Sequence, residues 1–252
     1  MIAITRSKYG LPISDIFFAE SVDESVPRTP LCVFQQTTNQ HRRLRPVQTS
    51  VIDLTAPIED ISAPISKNTH YKIRRAQREG LTPRLVMDPT VEDGRLFADY
   101  YDTFARHKGL PPCNRTKLEA LGESSALLLS SVADTDGQVL SAHAYVKDSS
   151  SGRVRLLYSA SHFRASIDSG ERNKIGRANR LLHWHEILTL KAVGFRLYDL
   201  GGIPLDSSDQ EKNDIARFKL EFGGKMLVEY NGVLPTNMVG KMLVPLARRR
   251  LG

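Results

Sequence analysis

The chain has 252 residues, 35 Lys and Arg against 28 Asp and Glu, a net charge of +7 and only two cysteines. That composition is the composition of an ordinary globular protein and excludes a disulfide framework; Cys32 and Cys113 read as buried small hydrophobes in a reducing compartment. No run approaches the roughly 20 apolar residues of a membrane-spanning helix, and the opening MIAITRSKYG lacks a secretory apolar run, so a cytoplasmic location is expected. The pI near 9.5 points to a polyanionic partner, whether nucleic acid, a phosphate-rich cofactor or an acidic membrane face.

Residues 1 to 55 read as short strands, among them PLCVFQQT and PVQTSVIDL, joined by polar loops that hold the basic cluster HRRLR at 41–45. Pro64 suits the first turn of a helix that runs to Glu79 and stops at Gly80. In it Ile65, Thr69, Ile73 and Ala76 form an inward stripe, and Lys67, Tyr71, Arg74 and Arg78 follow one another along a basic face. LTPRLVMD reads as a strand and TVEDGRLFADYYDTFARHKG as a helix ended by Gly109. SALLLSSVAD, GQVLSAHAYV and RVRLLYSAS predict a three-stranded antiparallel meander with turns at TDG and DSSSG.

A polar loop, DSGERNKIG, then leads to a helix from Arg177 to Ala192 whose apolar residues lie almost all round, so it is expected to be covered on several sides. FRLYDL is the next strand. SDQE at 208–211 is a capping box that opens a helix with Ile215, Phe218 and Phe222 toward the core, ended by Gly223 and Gly224. KMLVEYNGVL is the last strand. This order is α/β, with one central helix crossing between two strands.

Several stretches have chemistry in them. In RLYDLGG, Asp199 stands at a strand end ahead of Gly201 and Gly202, an arrangement found both in α/β ligand sites and in ordinary turns. NKIGRA, Asn173 to Ala178, precedes the central helix: exposed N–H groups, Gly176 for close approach, and Arg172, Lys174 and Arg177 for charge would cradle a phosphate or simply cap a buried helix. Ser141, His143 and Tyr145 alternate on one strand, with Tyr158 and Ser159 late in the next; both an acceptor pocket and a satisfied sheet face fit them. His183 and His185 point about 200° apart on a helix and cannot share an ion, so no metal is expected. Hydrolase, NTPase and dehydrogenase signatures are absent from the sequence.

Three stretches in this order and spacing, KNTHYKIRRAQREGL (67–81), GRANRLLHWHEILTLKAVGFRLYDLGG (176–202) and IARFKLEFGGK (215–225), resemble the Fem-type branch of the GNAT acyltransferases. That branch comprises the aminoacyl-tRNA-dependent transferases of peptidoglycan bridge formation and relatives associated with surface polysaccharides. NKIGRA is also similar to the Q/R-x-x-G-x-G/A pyrophosphate motif of the superfamily, with Asn173 at its first position and Arg172 adjacent.

The resemblance implies a GNAT-like mixed, mostly antiparallel central sheet flanked by helices. Residues 1–55 would be accessory N-terminal strands, 56–235 the acyltransferase domain and 236–252 a basic amphipathic tail. It implies transfer of an acyl or aminoacyl group from acyl-CoA, acyl carrier protein or aminoacyl-tRNA, a co-substrate rather than a tightly bound cofactor. The acceptor would be the amine of a nucleotide- or lipid-linked cell-envelope sugar or muropeptide precursor.

On this reading Asp199 orients or deprotonates the amine, and Lys219, in FKLEFG, reaches a phosphate or the developing oxyanion. Arg172, Asn173, Lys174, Gly176, Arg177 and Ala178 hold the donor. Lys67, Tyr71, Arg74 and Arg75, with His143, Tyr158, Ser159, Gly201 and Gly202, meet the substrates. The other reading of the same residues is a non-catalytic module for RNA or an anionic glycan. Finally, TNMVGKMLVPLARRRLG mixes Met238, Val239, Met242 and Leu243 with Lys241 and Arg248 to Arg250; such a tail either rests peripherally on the inner face of an anionic membrane or packs back on the domain.

Overall fold

The computed structural model describes residues 1–8, 10–22, 29–161, 168–203 and 210–251. Along them run β1 (Ile2–Lys8), β2 (Leu11–Phe17), β3 (Leu31–Thr37), β4 (Arg45–Asp53), α1 (Ile58–Ser62), α2 (Lys67–Arg78), β5 (Thr82–Val86), α3 (Val91–Lys108) and α4 (Arg115–Glu123). There follow β6 (Leu127–Ala133), β7 (Val139–Asp148), β8 (Arg153–Ser161), α5 (Ser169–Ala192), β9 (Leu197–Ile203), α6 (Gln210–Leu220), β10 (Lys225–Pro235) and α7 (Met238–Leu251). The fold is mixed α/β, with mostly antiparallel strands flanked by helices, as the sequence implied. No helix among the described residues is long and apolar enough to cross a membrane.

The chain forms two compact units. The first comprises Met1–Thr49, Gly202–Asn213 and Met226–Gly252, the second Ser50–Gly201 and Asp214–Lys225. β4, β9, α6 and β10 contribute residues to both.

In the second unit β5, β6, β7 and β8 pair antiparallel in sequence order, which is the expected meander with β5 added at its edge. α5 then carries the chain across, and β9 runs parallel to β8. The core between sheet and α5 holds Leu128, Tyr145, Val154, Ile187, Leu190, Tyr198 and Phe222, and a second cluster joins α2 to α5 through Ile73, Ala76, Ile175, Ala178 and Leu181. Each large aliphatic side chain so buried contributes about 1.5–3 kcal/mol. The stripe predicted for α2 is the buried one: Ile65, Thr69, Ile73 and Ala76 are each at most 4 % exposed.

Three local expectations are corrected. α2 starts at Lys67, where Ser66 Oγ accepts the Thr69 N–H at 3.1 Å, and Pro64 lies ahead of the helix, packed on Gly223. α5 starts at Ser169 rather than Arg177: Asp168 Oδ2 accepts the Glu171 N–H at 2.8 Å, and burial of Ile175 and Ala178 against α2 holds the added turns. Ile215 faces solvent at 45 % exposure, whereas Phe218 is half-buried and Phe222 fully buried. Of the SDQE capping box, Ser208 and Asp209 lie outside the described residues.

In the first unit β1 and β2 form an antiparallel hairpin, β3 runs parallel to β2, and β10 pairs antiparallel with β3. β10, expected in the main domain, thus groups with the N-terminal strands. Leu243 and Val244 of α7 pack on Ile13, Leu31, Val33 and Val233.

Candidate functional site

The parallel ladder of β8 and β9 is short. It covers Arg153↔Leu197, Val154↔Tyr198 and Arg155↔Asp199, although β8 runs on to Ser161 and β9 to Ile203. Two residues past the last pair, Gly201 has φ +80°, a left-handed conformation that side chains other than glycine resist. Its N–H turns to the Asp199 carboxylate at 2.8 Å. A Cβ on Gly201 would come to 3.3 Å from the Leu156 carbonyl oxygen and 3.6 Å from Lys219 Nζ. The Lys219 ammonium thus lies beside Gly201, and the tighter constraint on a side chain there comes from the Leu156 carbonyl and the positive φ.

Asp199 is fully buried and also accepts Arg153 Nη2, itself on the neighbouring strand. Lys219 reaches this place from α6. Desolvation pulls its pKa down from 10.5 to about 8, against the attraction of Asp199 and with the help of repulsion from Arg155. Asp199, Lys219 and Gly201 are thus brought together, with Arg153 and Arg155 as neighbours that the sequence reading did not single out.

The remaining predicted residues scatter. Because α5 begins at Ser169, the amides of Asn173 to Ala178 fall inside the helix and the expected cradle of free N–H groups is not formed. Lys174 pairs with Asp134 at 2.8 Å, Arg177 is buried in a two-pronged pair with Glu79 on α2, and Ala178 is core. Lys67, Tyr71, Arg74 and Arg75 are exposed on α2, and Arg75 pairs with Glu79 at 3.0 Å. Gly202 is exposed.

His143, Tyr158 and Ser159 cannot line one pocket. His143 lies opposite Ser159 while Tyr158 lies opposite Ala144, so Tyr158 points to the other sheet face. There its hydroxyl accepts the Asn114 N–H at 3.3 Å and its ring packs tilted against Tyr101, with centroids 4.8 Å apart. His143 is sealed beneath α5 at 0 % exposure.

Beneath α5 lies a polar cluster whose centre, Glu186, was missed in the sequence. Its Oε1 accepts Ser130 Oγ and His143 Nδ1, the latter at 2.8 Å. Its Oε2 accepts the hydroxyls of Tyr145 at 2.5 Å and Tyr198 at 2.6 Å. His183 Nδ1 lies 2.6 Å from the Tyr198 hydroxyl, and His143 Nε2 lies 2.8 Å from Asn179 Oδ1. Burial would raise the Glu186 carboxyl, but its interactions and hydrogen bonds with His143 and His183 hold it well below the usual carboxylate range. Burial pulls His183 down to about 4, so it stays neutral, and raises Tyr145 and Tyr198.

Ligand atoms of His143, His183 and Glu186 lie within 4.8 Å of one another, a grouping different from the His183 and His185 pair considered above. The contacts of 2.5–2.8 Å among Glu186, His143 and the two tyrosines are hydrogen-bond lengths. Ligands around a tetrahedral ion with bonds of about 2.0 Å stand roughly 3.3 Å apart. The signal available in the sequence was an acidic residue on the covered side of an apolar helix, three positions after a histidine.

No family model and no curated protein matches the sequence. Solved structures do match. A C-terminal domain assigned to a lysylphosphatidylglycerol synthetase of Agrobacterium fabrum superposes with a TM-score of 0.59 at 15 % identity, over 99 % of this chain and 84 % of that one. L-PGS from Bacillus licheniformis gives 0.59 at 14 % identity over 98 % and 84 %. FemX gives 0.58 at 14 % identity over 79 % of this chain, which spans 63 % of FemX. At such identities the likeness is one of fold, and the chain has the GNAT-like fold that these structures share.

Proposed function

We propose that the protein transfers an acyl or aminoacyl group from a phosphate-bearing activated donor to an amine. The observation that carries this reading is Lys219, whose ammonium is drawn against Gly201 at the end of the β8–β9 ladder, in the field of Asp199. In such a transfer the amine nitrogen bonds to the donor carbonyl carbon, the carbon–sulfur or carbon–oxygen bond to the donor breaks, and the proton leaving nitrogen passes to the leaving group. Lys219, charged below about pH 8, would stabilise the oxyanion formed between those steps. Asp199 has both oxygens engaged by donors, which favours an orienting part over a deprotonating one.

The name lysylphosphatidylglycerol synthetase describes a lysyl group placed on a phospholipid, which supports an aminoacyl group and an envelope acceptor here. Acyl-CoA, acyl carrier protein and aminoacyl-tRNA remain the donor classes to compare, and a nucleotide- or lipid-linked amino sugar or muropeptide is the acceptor class. The protein would act from the cytoplasmic side. The exposed basic face of α2, with Lys67, Tyr71, Arg74 and Arg75, supports the second reading of an RNA or anionic-glycan binder.

A thermal-shift panel with CoA thioesters, charged and uncharged tRNA and UDP-sugars, followed by a turnover assay on the responding donor, separates the readings. The expected result is a raised melting temperature with one donor class, turnover that falls above about pH 8, and loss of about 100-fold or more in Lys219→Met with folding intact. Full activity in that variant would overturn the assignment. Affinity without turnover, lost on substitution of Arg74 and Arg75 and falling steeply with salt, would establish the binder.

A further inference from the structure

Among its described residues, α7 is held to the first unit through Gly240, Leu243 and Val244. Asn237 caps its start, with Oδ1 accepting the Gly240 N–H at 2.9 Å, and Gly240 sits so tightly on Pro30 that a Cβ would overlap the Pro30 carbonyl. Leu243 and Val244 continue this inner side onto Ile13, Leu31, Val33 and Val233. At 100° per residue, Met238 and Met242 fall on the side opposite Gly240, Leu243 and Val244. They are 69 % and 70 % exposed, and Val239 beside them is 45 % exposed. Lys241 is exposed as well, and the sequence of the helix ends in ARRRL.

We propose that this outer face of α7 docks on an anionic lipid surface. Methionine and valine side chains at the top of a docked helix insert among acyl chains, while flanking cations meet lipid phosphates. A second copy of the chain fits less well. Three apolar side chains fall far short of the roughly 800 Å² per partner of a stable interface, and the cations of two copies would repel. Nucleic acid would be met by the cations but gives exposed methionines nothing to enter. The inference stands on α7 alone and is tested without any assay of acyl transfer.

The experiment is co-sedimentation of the intact protein with vesicles of phosphatidylcholine alone or mixed with phosphatidylglycerol, at physiological salt, with light scattering in parallel. Binding to the phosphatidylglycerol vesicles is expected, and partition should fall about tenfold in Met238→Asp/Met242→Asp with an unchanged melting temperature. Arg248→Ser/Arg249→Ser/Arg250→Ser should lower it about 100-fold, near fivefold for each charge. Absence of binding to the anionic vesicles would overturn the proposal. So would binding indifferent to the methionine substitutions, or a concentration-dependent dimer that those substitutions dissolve.

Discussion

Glu186 is met by four donors on three strands, while Lys219 lies in the field of a carboxylate that Arg153 pairs with. Both charges lie below the surface of the same unit. Around Glu186 compensation exceeds desolvation, so the carboxylate stays ionised, His183 stays neutral and the tyrosines keep their protons across the physiological range. Around Lys219 desolvation exceeds compensation, and the amine is carried to about 8, where it can change state under working conditions. Burial alone therefore does not mark a reactive group; the balance of desolvation against partners does.

The comparison breaks most directly at its closed side. Glu186→Gln should cost about 3–5 kcal/mol in urea unfolding, because the donors aimed at the carboxylate then face an amide. A loss below about 1 kcal/mol would show that the cluster tolerates a neutral centre. His183 sharpens the same side. The unfolded chain takes up its proton near 6.5 but the folded one only near 4, so stability should fall by about 2–3 kcal/mol as pH drops through that window. His183→Gln should flatten this limb; an unchanged limb would place the acid sensitivity elsewhere.

On the open side the pH slope has the same sign but lies at higher pH. Lys219 loses its proton near 8 when folded and near 10.5 when unfolded, so between those values the unfolded chain binds more protons and stability rises with pH. Lys219→Met should be more stable than the native chain by about 1–3 kcal/mol at pH 7, and the gap should close toward pH 10.5. A variant less stable than the parent would mean that Lys219 is a structural cation. The smallest effect belongs to Gly201→Ala, about 1–2 kcal/mol from its positive φ. The added Cβ would press on the Leu156 carbonyl oxygen at 3.3 Å, and an unchanged stability would show that the ladder end relaxes around it.

Patterns local in the chain were legible. The meander, β3, β10 and α3 lie where the apolar patterns put them, and the left-handed Gly109 ends α3 as expected, while its opening capping box of Thr90 with Asp93 is a feature that the structure adds. In DSGERNKIG two glycines and the charges mask a helical period, so the stretch reads as loop. Yet Asp168 and Glu171 hold the D-x-x-E spacing of a capped start, and Ile175 and Ala178 become core only once α2 packs on them. Asn114 capping α4 was a similar signal passed over. At the site, Asp199, Gly201 and Lys219 were found through the strand end and the resemblance. Arg153 and Arg155 were not, since nothing along the chain says that β8 and β9 pair in parallel. The Glu186 cluster was equally hidden: its members come from β6, β7, α5 and β9 and meet only in three dimensions.

The pairing of β3 with β10, from Leu31↔Pro235 to Thr37↔Tyr230, has a consequence for how the molecule comes into being. Roughly 200 residues separate the partners, so at 5–20 residues per second β3 waits about 10–40 s on the ribosome before its neighbour exists. During that interval β1, β2 and β3 present a bare strand edge with Val33 and Phe34 on it, a template for other nascent chains. The first unit thus closes last although it is begun first, and it is during synthesis that this protein is most in need of a chaperone.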